Sequence, residues 1–240
     1  MPNEYVLVHG ACHGAWCWDQ VAARLRAKGH RVLAVDLPGH GRRAALVRRA
    51  GMEAYGRAVA DAMALEGVSR AVLVGHSMGG PVISKAAELA RDRIRHLVYV
   101  AAVVPLDGQS IAESLMTEPG RRMVRGMAAG RGNGTFLYPA ETAWARWMGD
   151  VPRDHPEASR ALSLLTPQST RPFLEPVDLR AFYATRIPRT YLRCLQDRAV
   201  VPAKGAEFAA RLGVCPVDMN CAHNPMLSQP DELARILDKI

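Results

Sequence analysis

The stretch 71–80 constrains the fold of this chain more than any other part of the sequence. An apolar run ends there at the pentapeptide Gly75-His-Ser-Met-Gly79, and helix-forming residues follow at 82–89. This order predicts a buried strand, a sharp turn with Ser77 at its apex, and then a helix. The two glycines suit a turn in which a Cβ would collide with neighbouring backbone. The stretch is therefore predicted to be a nucleophile elbow, with the Ser77 hydroxyl at the carboxyl end of a strand.

Apolar runs of strand type alternate with segments of helical periodicity on both sides of this stretch. Strands are predicted at 5–9, 31–36, 71–75, 94–104, 190–195 and 214–219, and helices at 16–28, 82–89, 202–212 and 230–237, with a further helix that ends at Gly67. The strands are continuous hydrophobic runs, which is typical of strands buried on both faces in a parallel sheet. The fold class is therefore predicted to be α/β, with helices on both faces of a mostly parallel sheet.

Residues 106–182 break this alternation. They contain a glycine-rich segment at 126–134, several aromatic residues and many prolines, but no strand signal of the earlier kind. A segment of this length is too long for a structureless loop inside a compact domain. We predict a mostly helical cap (lid) over the carboxyl ends of the strands, inserted into an α/β core domain of residues 1–105 and 183–240.

Three residues with complementary chemistry follow predicted strand ends in the order Ser77, Asp197, His223. A serine hydroxyl attacks a carbonyl readily only when a histidine takes its proton and a carboxylate orients that histidine. In an open parallel sheet, residues just beyond the carboxyl ends of the strands converge on one crevice. Serine, acid and histidine is also the chain order expected of this architecture. We predict that the three residues form a catalytic triad, with Asp107 and Asp218 as alternative acids.

A triad of this kind also needs an oxyanion hole and a substrate pocket. The negative oxygen of a tetrahedral intermediate is usually bound by two backbone N–H groups. The predicted donors are Met78, which follows the nucleophile, and Ala11, in the loop after the first strand. The candidate residues for the pocket wall are His13, Phe136, Tyr138, Trp144 and Trp147. The alternative for the aromatic residues is that they form the core of the cap.

The size and composition of the chain restrict its class. With 240 residues, 49% of them hydrophobic, the chain is large enough for one self-stabilising core. Neither a secretion signal nor an apolar run of about 20 residues, the length that spans a bilayer, is evident. We therefore expect a cytoplasmic protein with no membrane partner. The five cysteines lack Cys-x-x-Cys spacing, which favours reduced thiols and no metal site.

The net charge of +8 is carried mainly by arginine. A basic protein that binds nucleic acid concentrates its charge on a recognition element. Here the arginines are scattered through helical and loop segments, which favours a solvated basic surface. We expect no nucleic-acid partner.

Several motifs resemble those of a known family. The run His9-Gly-Ala-Cys-His-Gly-Ala-Trp-Cys-Trp18 is similar to the signature of plant methylesterases, salicylate methylesterases among them, and hydroxynitrile lyases, a branch of the α/β-hydrolase fold. Matching motifs are Asp36-Leu-Pro-Gly-His-Gly41, Gly75-His-Ser-Met-Gly-Gly80 and Cys194-Leu-Gln-Asp-Arg-Ala-Val200. The resemblance implies a parallel sheet with flanking helices, a helical cap, and a triad at Ser77, Asp197 and His223.

Three positions distinguish esterases of that family from the lyases. The lyases have threonine after the first-strand histidine, cysteine after the nucleophile and lysine after the catalytic histidine. This chain has Gly10, Met78 and Asn224 at those positions. The resemblance therefore implies ester hydrolysis rather than cyanohydrin cleavage.

The combined prediction is a serine hydrolase that cleaves a carboxylic ester of a small hydrophobic or aromatic acid through an acyl-enzyme. No cofactor or metal is expected, and the expected partner is a small-molecule ester, with a homodimer left open. Within enzymes, the alternatives are a lactonase, a thioesterase or a carbon–carbon bond hydrolase on the same fold. Outside enzymes, the alternative is a hydrolase-like receptor that binds a small molecule with little turnover.

Overall fold

The computed structural model describes residues 2–240, and its strands form one large sheet and one small one. In chain order the strands are β1 (Glu4–Val8), β2 (Arg31–Val35), β3 (Ala71–His76), β4 (Ile94–Val100), β5 (Thr135–Phe136), β6 (Gln168–Ser169), β7 (Arg189–Cys194) and β8 (Val217–Met219). The large sheet has six strands in the order β2-β1-β3-β4-β7-β8, and all neighbouring pairs are parallel. β5 and β6 form a separate antiparallel pair. The predicted α/β architecture with a parallel sheet is confirmed.

Helices connect the strands and flank the sheet. In chain order they are α1 (Asp19–Ala27), α2 (Met52–Leu65), α3 (Gly79–Leu89), α4 (Ile111–Leu115), α5 (Glu118–Arg131), α6 (Ala140–Trp147), α7 (Pro156–Ser163), α8 (Arg171–Leu174), α9 (Arg180–Tyr183), α10 (Pro202–Arg211), α11 (Pro225–Ser228) and α12 (Pro230–Leu237). Short 3-10 segments occur at Ala15–Trp18, Gly41–Arg49 and Arg91–Arg93. α1 packs against α12, and α2 packs against α3. Within residues 2–240, no helix has both the length and the apolar character needed to cross a bilayer.

β3 is the most deeply buried strand, because every one of its residues is buried. Its two neighbours, β1 and β4, are also buried over most of their length. A strand covered on both faces needs apolar side chains on both, which explains the continuous run Ala-Val-Leu-Val at its start. Burial of one Val or Leu side chain contributes about 1.5–3 kcal/mol, so this strand is a rigid support for the turn that follows it.

The helix after the elbow begins earlier than its sequence indicates. α3 starts at Gly79, whereas helix-forming residues begin only at 82. The first three residues of the helix are Gly79, Gly80 and Pro81, which are poor helix formers elsewhere. Proline is tolerated in the first turn because its missing N–H would have no helical partner there. The helix-forming residues from 82 onward thus continue a helix whose first turn contains Gly79, Gly80 and Pro81.

Two strands are shorter than the hydrophobic pattern predicts. β4 ends at Val100 instead of residue 104, because Ala101 has φ +46°, a left-handed conformation that does not continue a strand. β8 begins at Val217 instead of residue 214. Pro216 precedes it and lacks the N–H that a strand interior needs.

The predicted cap segment, 106–182, is mostly helical. It contains α4 to α8 and the start of α9, together with the β5–β6 pair. The pair was not predicted, since each of its strands has only two residues. The predicted boundary at 182 falls inside α9, which packs against α3 of the core. The division into a core and a cap domain stays a prediction.

Candidate active site

The turn after β3 holds Ser77 in a left-handed backbone conformation, with φ +53°. This conformation costs a non-glycine residue about 1–3 kcal/mol and is found mostly where the surroundings impose it. Close packing imposes it here: a Cβ on Gly79 would lie 2.9 Å from the Val8 carbonyl oxygen. A Cβ on Gly10 would lie 2.9 Å from Cβ of Ser77. The elbow is thus fixed between β1 and the loop that follows β1.

The side chains of His223 and Asp197 form a buried pair, in which His223 Nδ1 lies 2.7 Å from Asp197 Oδ2. The other carboxylate oxygen of Asp197 accepts hydrogen bonds from the N–H groups of Ala199 at 2.6 Å and Val200 at 2.9 Å. A carboxylate held in this way orients the imidazole with its proton on Nδ1. The Nε2 lone pair of His223 is then available as a base.

The backbone around His223 is held from both the core and the cap. His76 Nε2 donates to the carbonyl oxygen of His223 at 2.9 Å, and the two imidazole rings lie 4.7 Å apart. Ala222 N–H donates to Asp150 Oδ2 at 2.9 Å, and Asn224 N–H donates to the Trp147 carbonyl at 3.0 Å. His76 therefore supports the loop of the predicted base.

The two alternative acids are engaged elsewhere. Asp107 Oδ1 accepts a hydrogen bond from the Leu179 N–H at 2.8 Å. Asp218 forms a two-point ion pair with Arg193, at 2.7 and 2.8 Å. Among the three candidate acids, Asp197 is the one in contact with His223.

The backbone N–H groups of Ala11 and Met78 are free to donate a hydrogen bond, as an oxyanion hole requires. Neither group donates to another part of the chain as the structure describes it. Ala11 and Ser77 line the same cavity. Two unpaired donors close to a serine hydroxyl suit a developing negative oxygen.

The cavity at Ser77 is small and mostly apolar, with a volume of about 30 Å³. Its lining residues are Ala11, Ser77, Leu115, Met116, Phe136, Tyr138, Arg146, Trp147, Phe173 and Ala199. Three of the predicted pocket residues, Phe136, Tyr138 and Trp147, lie on its wall.

Two predicted pocket residues, His13 and Trp144, are not among the residues that line this cavity, and their role in a substrate pocket stays a prediction. Both ring nitrogens of His13 are occupied: Nδ1 donates to the Ala11 carbonyl at 2.7 Å, and Nε2 accepts from Asn224 Nδ2 at 3.0 Å. Trp144 Nε1 donates to the Val151 carbonyl at 2.9 Å. His13 packs against Trp147, which is on the wall.

Five of the lining residues were not identified from the sequence: Leu115, Met116, Arg146, Phe173 and Ala199. Leu115, Met116 and Phe173 are ordinary apolar residues, and no pattern separates a pocket wall from a cap core. Arg146 is one of many scattered arginines, yet it is the charged member of the lining set. Its guanidinium lies 5.8 Å from the centre of the Tyr138 ring, within the range of a cation–π contact.

Four histidines, His9, His13, His40 and His76, are buried, and burial lowers the pKa of each. The pKa values of His9 and His76 are held well below the ordinary range, and the pKa of His40 is lowered less. The pKa of His13 is lowered to about 4. Burial disfavours the charged imidazolium, so all four are neutral at pH 7. Within residues 2–240, no group of three or more His, Cys, Asp or Glu side chains is arranged to hold a metal ion.

Comparison with known proteins gives consistent matches over the whole chain. A sequence profile of the alpha/beta hydrolase family matches residues 5–236. The chain is 33% identical to a pyrethroid hydrolase from Sphingobium wenxiniae over 253 aligned residues, which cover 98% of this chain and 86% of that enzyme. It is 45% identical to Esterase PIR7B from Oryza sativa subsp. japonica over 110 residues. That alignment covers 45% of this chain and only 41% of the rice esterase.

One solved structure also matches this chain over almost its whole length. An extracellular alpha/beta-hydrolase from a Paenibacillus species superposes with a TM-score of 0.91 and 27% identity, over 99% of this chain and 98% of that one. That hydrolase is described as sharing structural and functional homology with tobacco salicylic acid binding protein 2.

Proposed function

The chain belongs to the alpha/beta hydrolase family, and we propose that it is a carboxylic ester hydrolase in which Ser77, His223 and Asp197 form the catalytic triad. The observation that carries the proposal is the buried His223–Asp197 pair after β7 and β8, together with a serine that a strained elbow holds after β3, at the same edge of the parallel sheet. Relatives named as esterases, methylesterases and a pyrethroid hydrolase support the reaction class. The motifs found in the sequence support the same family.

In the first half of the reaction, Ser77 Oγ attacks the carbonyl carbon of the ester while His223 Nε2 takes the hydroxyl proton. The carbonyl electron pair moves onto oxygen, and the N–H groups of Ala11 and Met78 bind the resulting oxyanion. Asp197 stays ionised and stabilises the imidazolium. Collapse of the intermediate breaks the ester C–O bond, and His223 gives its proton to the departing alcohol.

In the second half, water replaces the alcohol. His223 Nε2 takes a proton from the water as its oxygen attacks the acyl carbon, and the same oxyanion donors bind the second tetrahedral intermediate. Its collapse returns the proton to Ser77 and releases the carboxylic acid. These steps use only groups of this chain and water. Removal of one oxyanion donor typically lowers kcat by about 10²–10³-fold.

The wall of the cavity supports a substrate with a small hydrophobic or aromatic acid. Phe136, Tyr138, Trp147 and Phe173 supply aromatic surface next to Ser77. Phe136 stacks edge-on against Tyr138 and Phe173, which fixes the shape of this wall. Aromatic rings bind apolar groups over a large contact area, so they favour an acyl or alcohol portion of the same character.

The test is hydrolysis of a panel of p-nitrophenyl esters by the wild type, Ser77→Ala and Ser84→Ala. Ser84 is the matched control because it lies on α3, its hydroxyl bonds the Gly80 carbonyl and the Tyr99 hydroxyl of β4, and it is not on the cavity wall. We expect Ser77→Ala to lose hydrolysis by several orders of magnitude and Ser84→Ala to keep it. Equal hydrolysis by the wild type and Ser77→Ala would refute the nucleophile.

The same panel, extended with thioesters and lactones, separates the alternatives. Turnover of thioesters or lactones in preference to open-chain oxygen esters would indicate that the enzyme, with the same fold, hydrolyses a different bond. No turnover of any substrate, combined with a raised Tm on addition of an aromatic acid, would favour a small-molecule receptor.

A further inference from the structure

The loop that carries Ala11 is held by residues of the predicted cap. Cys12, the residue after Ala11, has φ +62°, a left-handed conformation that is strained for a side chain of this kind. Its N–H donates to Gln168 Oε1 at 3.3 Å, and its carbonyl accepts from the Thr166 N–H at 2.8 Å. Both backbone groups of the strained residue are therefore bound by the segment around β6.

Gln168 is completely buried, and all the hydrogen-bonding capacity of its amide is used. Oε1 accepts from Cys12 N–H and lies 2.8 Å from His40 Nε2. Because a backbone N–H can only donate, this contact fixes which end of the amide is oxygen. Nε2 donates to the Tyr55 hydroxyl at 3.3 Å and to the Ser169 carbonyl at 3.0 Å. A buried polar group satisfied in this way has one stable orientation.

The position of Ala11 is thus set from both sides. On one side, Gly10 packs so closely on the elbow that no Cβ fits. On the other side, Cys12 is bound by Gln168 and Thr166. The direction of an oxyanion donor must be correct before the reaction, because reorientation during it costs free energy.

We propose that Gln168 is a positioning residue of the oxyanion hole, which links the cap to the loop of Ala11. This inference rests on the proposed role of the Ala11 N–H in ester hydrolysis. Gln168 lies outside the lining set of the cavity, so it acts through Cys12 and not on the substrate. Displacement of the segment around β6 would release the loop and weaken the oxyanion hole.

A purely structural role for Gln168 makes a different prediction, and Tyr55→Phe is the matched control. Tyr55→Phe removes a bond to Gln168 Nε2 and leaves the contact between Oε1 and Cys12 in place. Gln168→Met keeps the length of the side chain but removes the acceptor for Cys12. If Gln168 only attaches the cap, both variants should lower Tm. They should then have equal kcat and equal Ki.

The experiment measures kcat, KM and Tm for both variants with a p-nitrophenyl ester, together with Ki for a trifluoromethyl ketone, whose adduct carries an oxyanion. We expect Gln168→Met to lower kcat by about 10–100-fold, with KM within threefold, because small misplacements of catalytic groups have effects of this size. Ki should rise by a similar factor. Tyr55→Phe should change kcat and Ki less than threefold.

Gln168→Glu keeps the proposal testable if the Met variant does not fold. One carboxyl oxygen remains for the Cys12 N–H, and burial favours the protonated carboxyl, whose O–H can donate to the Ser169 carbonyl in place of Nε2. We therefore expect this variant to keep kcat within about fivefold of the wild type, since the key acceptor is preserved. A kcat as low as that of the Met variant, or equal kcat and Ki in Gln168→Met and Tyr55→Phe, would overturn the inference. Activity of Ser77→Ala equal to the wild type would instead overturn the proposed function, so the two failures are distinct.

Discussion

Asp197 and His223 lie 26 residues apart in the chain, yet Oδ2 of the first is 2.7 Å from Nδ1 of the second. They meet because β7 and β8 are adjacent and parallel, so the loops after the two strands leave the sheet at the same edge. Both side chains are almost fully shielded from solvent. A charge-assisted hydrogen bond in such surroundings is strong and directional.

Replacement of Asp197 tests which carboxylate orients His223. We expect Asp197→Asn to lower kcat by about 10⁴-fold, since the amide favours the wrong imidazole tautomer. The control is Asp107→Asn, which alters a carboxylate bound to the Leu179 N–H and should keep most of the activity. A larger loss in Asp107→Asn than in Asp197→Asn, measured with one p-nitrophenyl ester, would contradict the choice of acid.

The pH dependence of stability tests the burial of His13. Burial lowers the pKa of His13 to about 4 in the folded protein, against 6.5 for an exposed histidine. Between these values the unfolded chain binds a proton that the folded chain does not, so the free energy of unfolding falls as pH drops from 6.5 towards 4. The full effect is about 3 kcal/mol.

Urea unfolding at pH 7 and pH 4.5 measures this effect. We expect His13→Gln to lose less stability between the two pH values than the wild type does, because one proton-linked group is gone. The free energy of unfolding of this variant still depends on pH, because the other buried histidines remain. An unchanged difference between pH 7 and pH 4.5 in His13→Gln would show that His13 does not titrate as its burial predicts.

Arg146 predicts that the site accepts an anionic group on an otherwise apolar ester. It is the charged residue on the cavity wall, and no carboxylate in residues 2–240 forms an ion pair with it. The ratio of kcat/KM for p-nitrophenyl hydrogen glutarate to kcat/KM for p-nitrophenyl valerate measures this effect. We expect Arg146→Met to lower the ratio by about tenfold, the size of a partly buried charge contact.

Arg125→Met is the control for that prediction, because it removes an equal charge from an exposed position on α5 that is not on the cavity wall. It should leave the ratio close to the wild-type value. The same ratio in the wild type and Arg146→Met would mean that Arg146 does not recognise the substrate.

Much of this architecture was predictable from local sequence patterns. Ser77, Asp197 and His223 each follow an apolar run, so the parallel sheet predicts that they converge. The oxyanion candidates depend on the same logic, since Ala11 and Met78 follow the first and third strands.

The cap was less predictable, and Gln168 shows why. Its partners Cys12, His40 and Tyr55 are more than 100 residues away in the chain, and no spacing rule connects them. Arg146 is equally unmarked, because an arginine on a helix is usually a solvated surface residue. His13 and Trp144 illustrate the opposite case. Their residue type suggested a pocket wall, but their ring nitrogens bond other parts of the chain and neither residue lines the cavity.

The most direct test of the account is mass spectrometry of the protein quenched during hydrolysis of a p-nitrophenyl ester. We expect an added acyl mass on the peptide that contains Ser77, and its accumulation in His223→Ala, which lacks the base for deacylation but can still be acylated slowly by an activated ester. Ser77→Ala should carry no acyl group. An acyl group on another residue, or hydrolysis that continues in Ser77→Ala, would contradict the account.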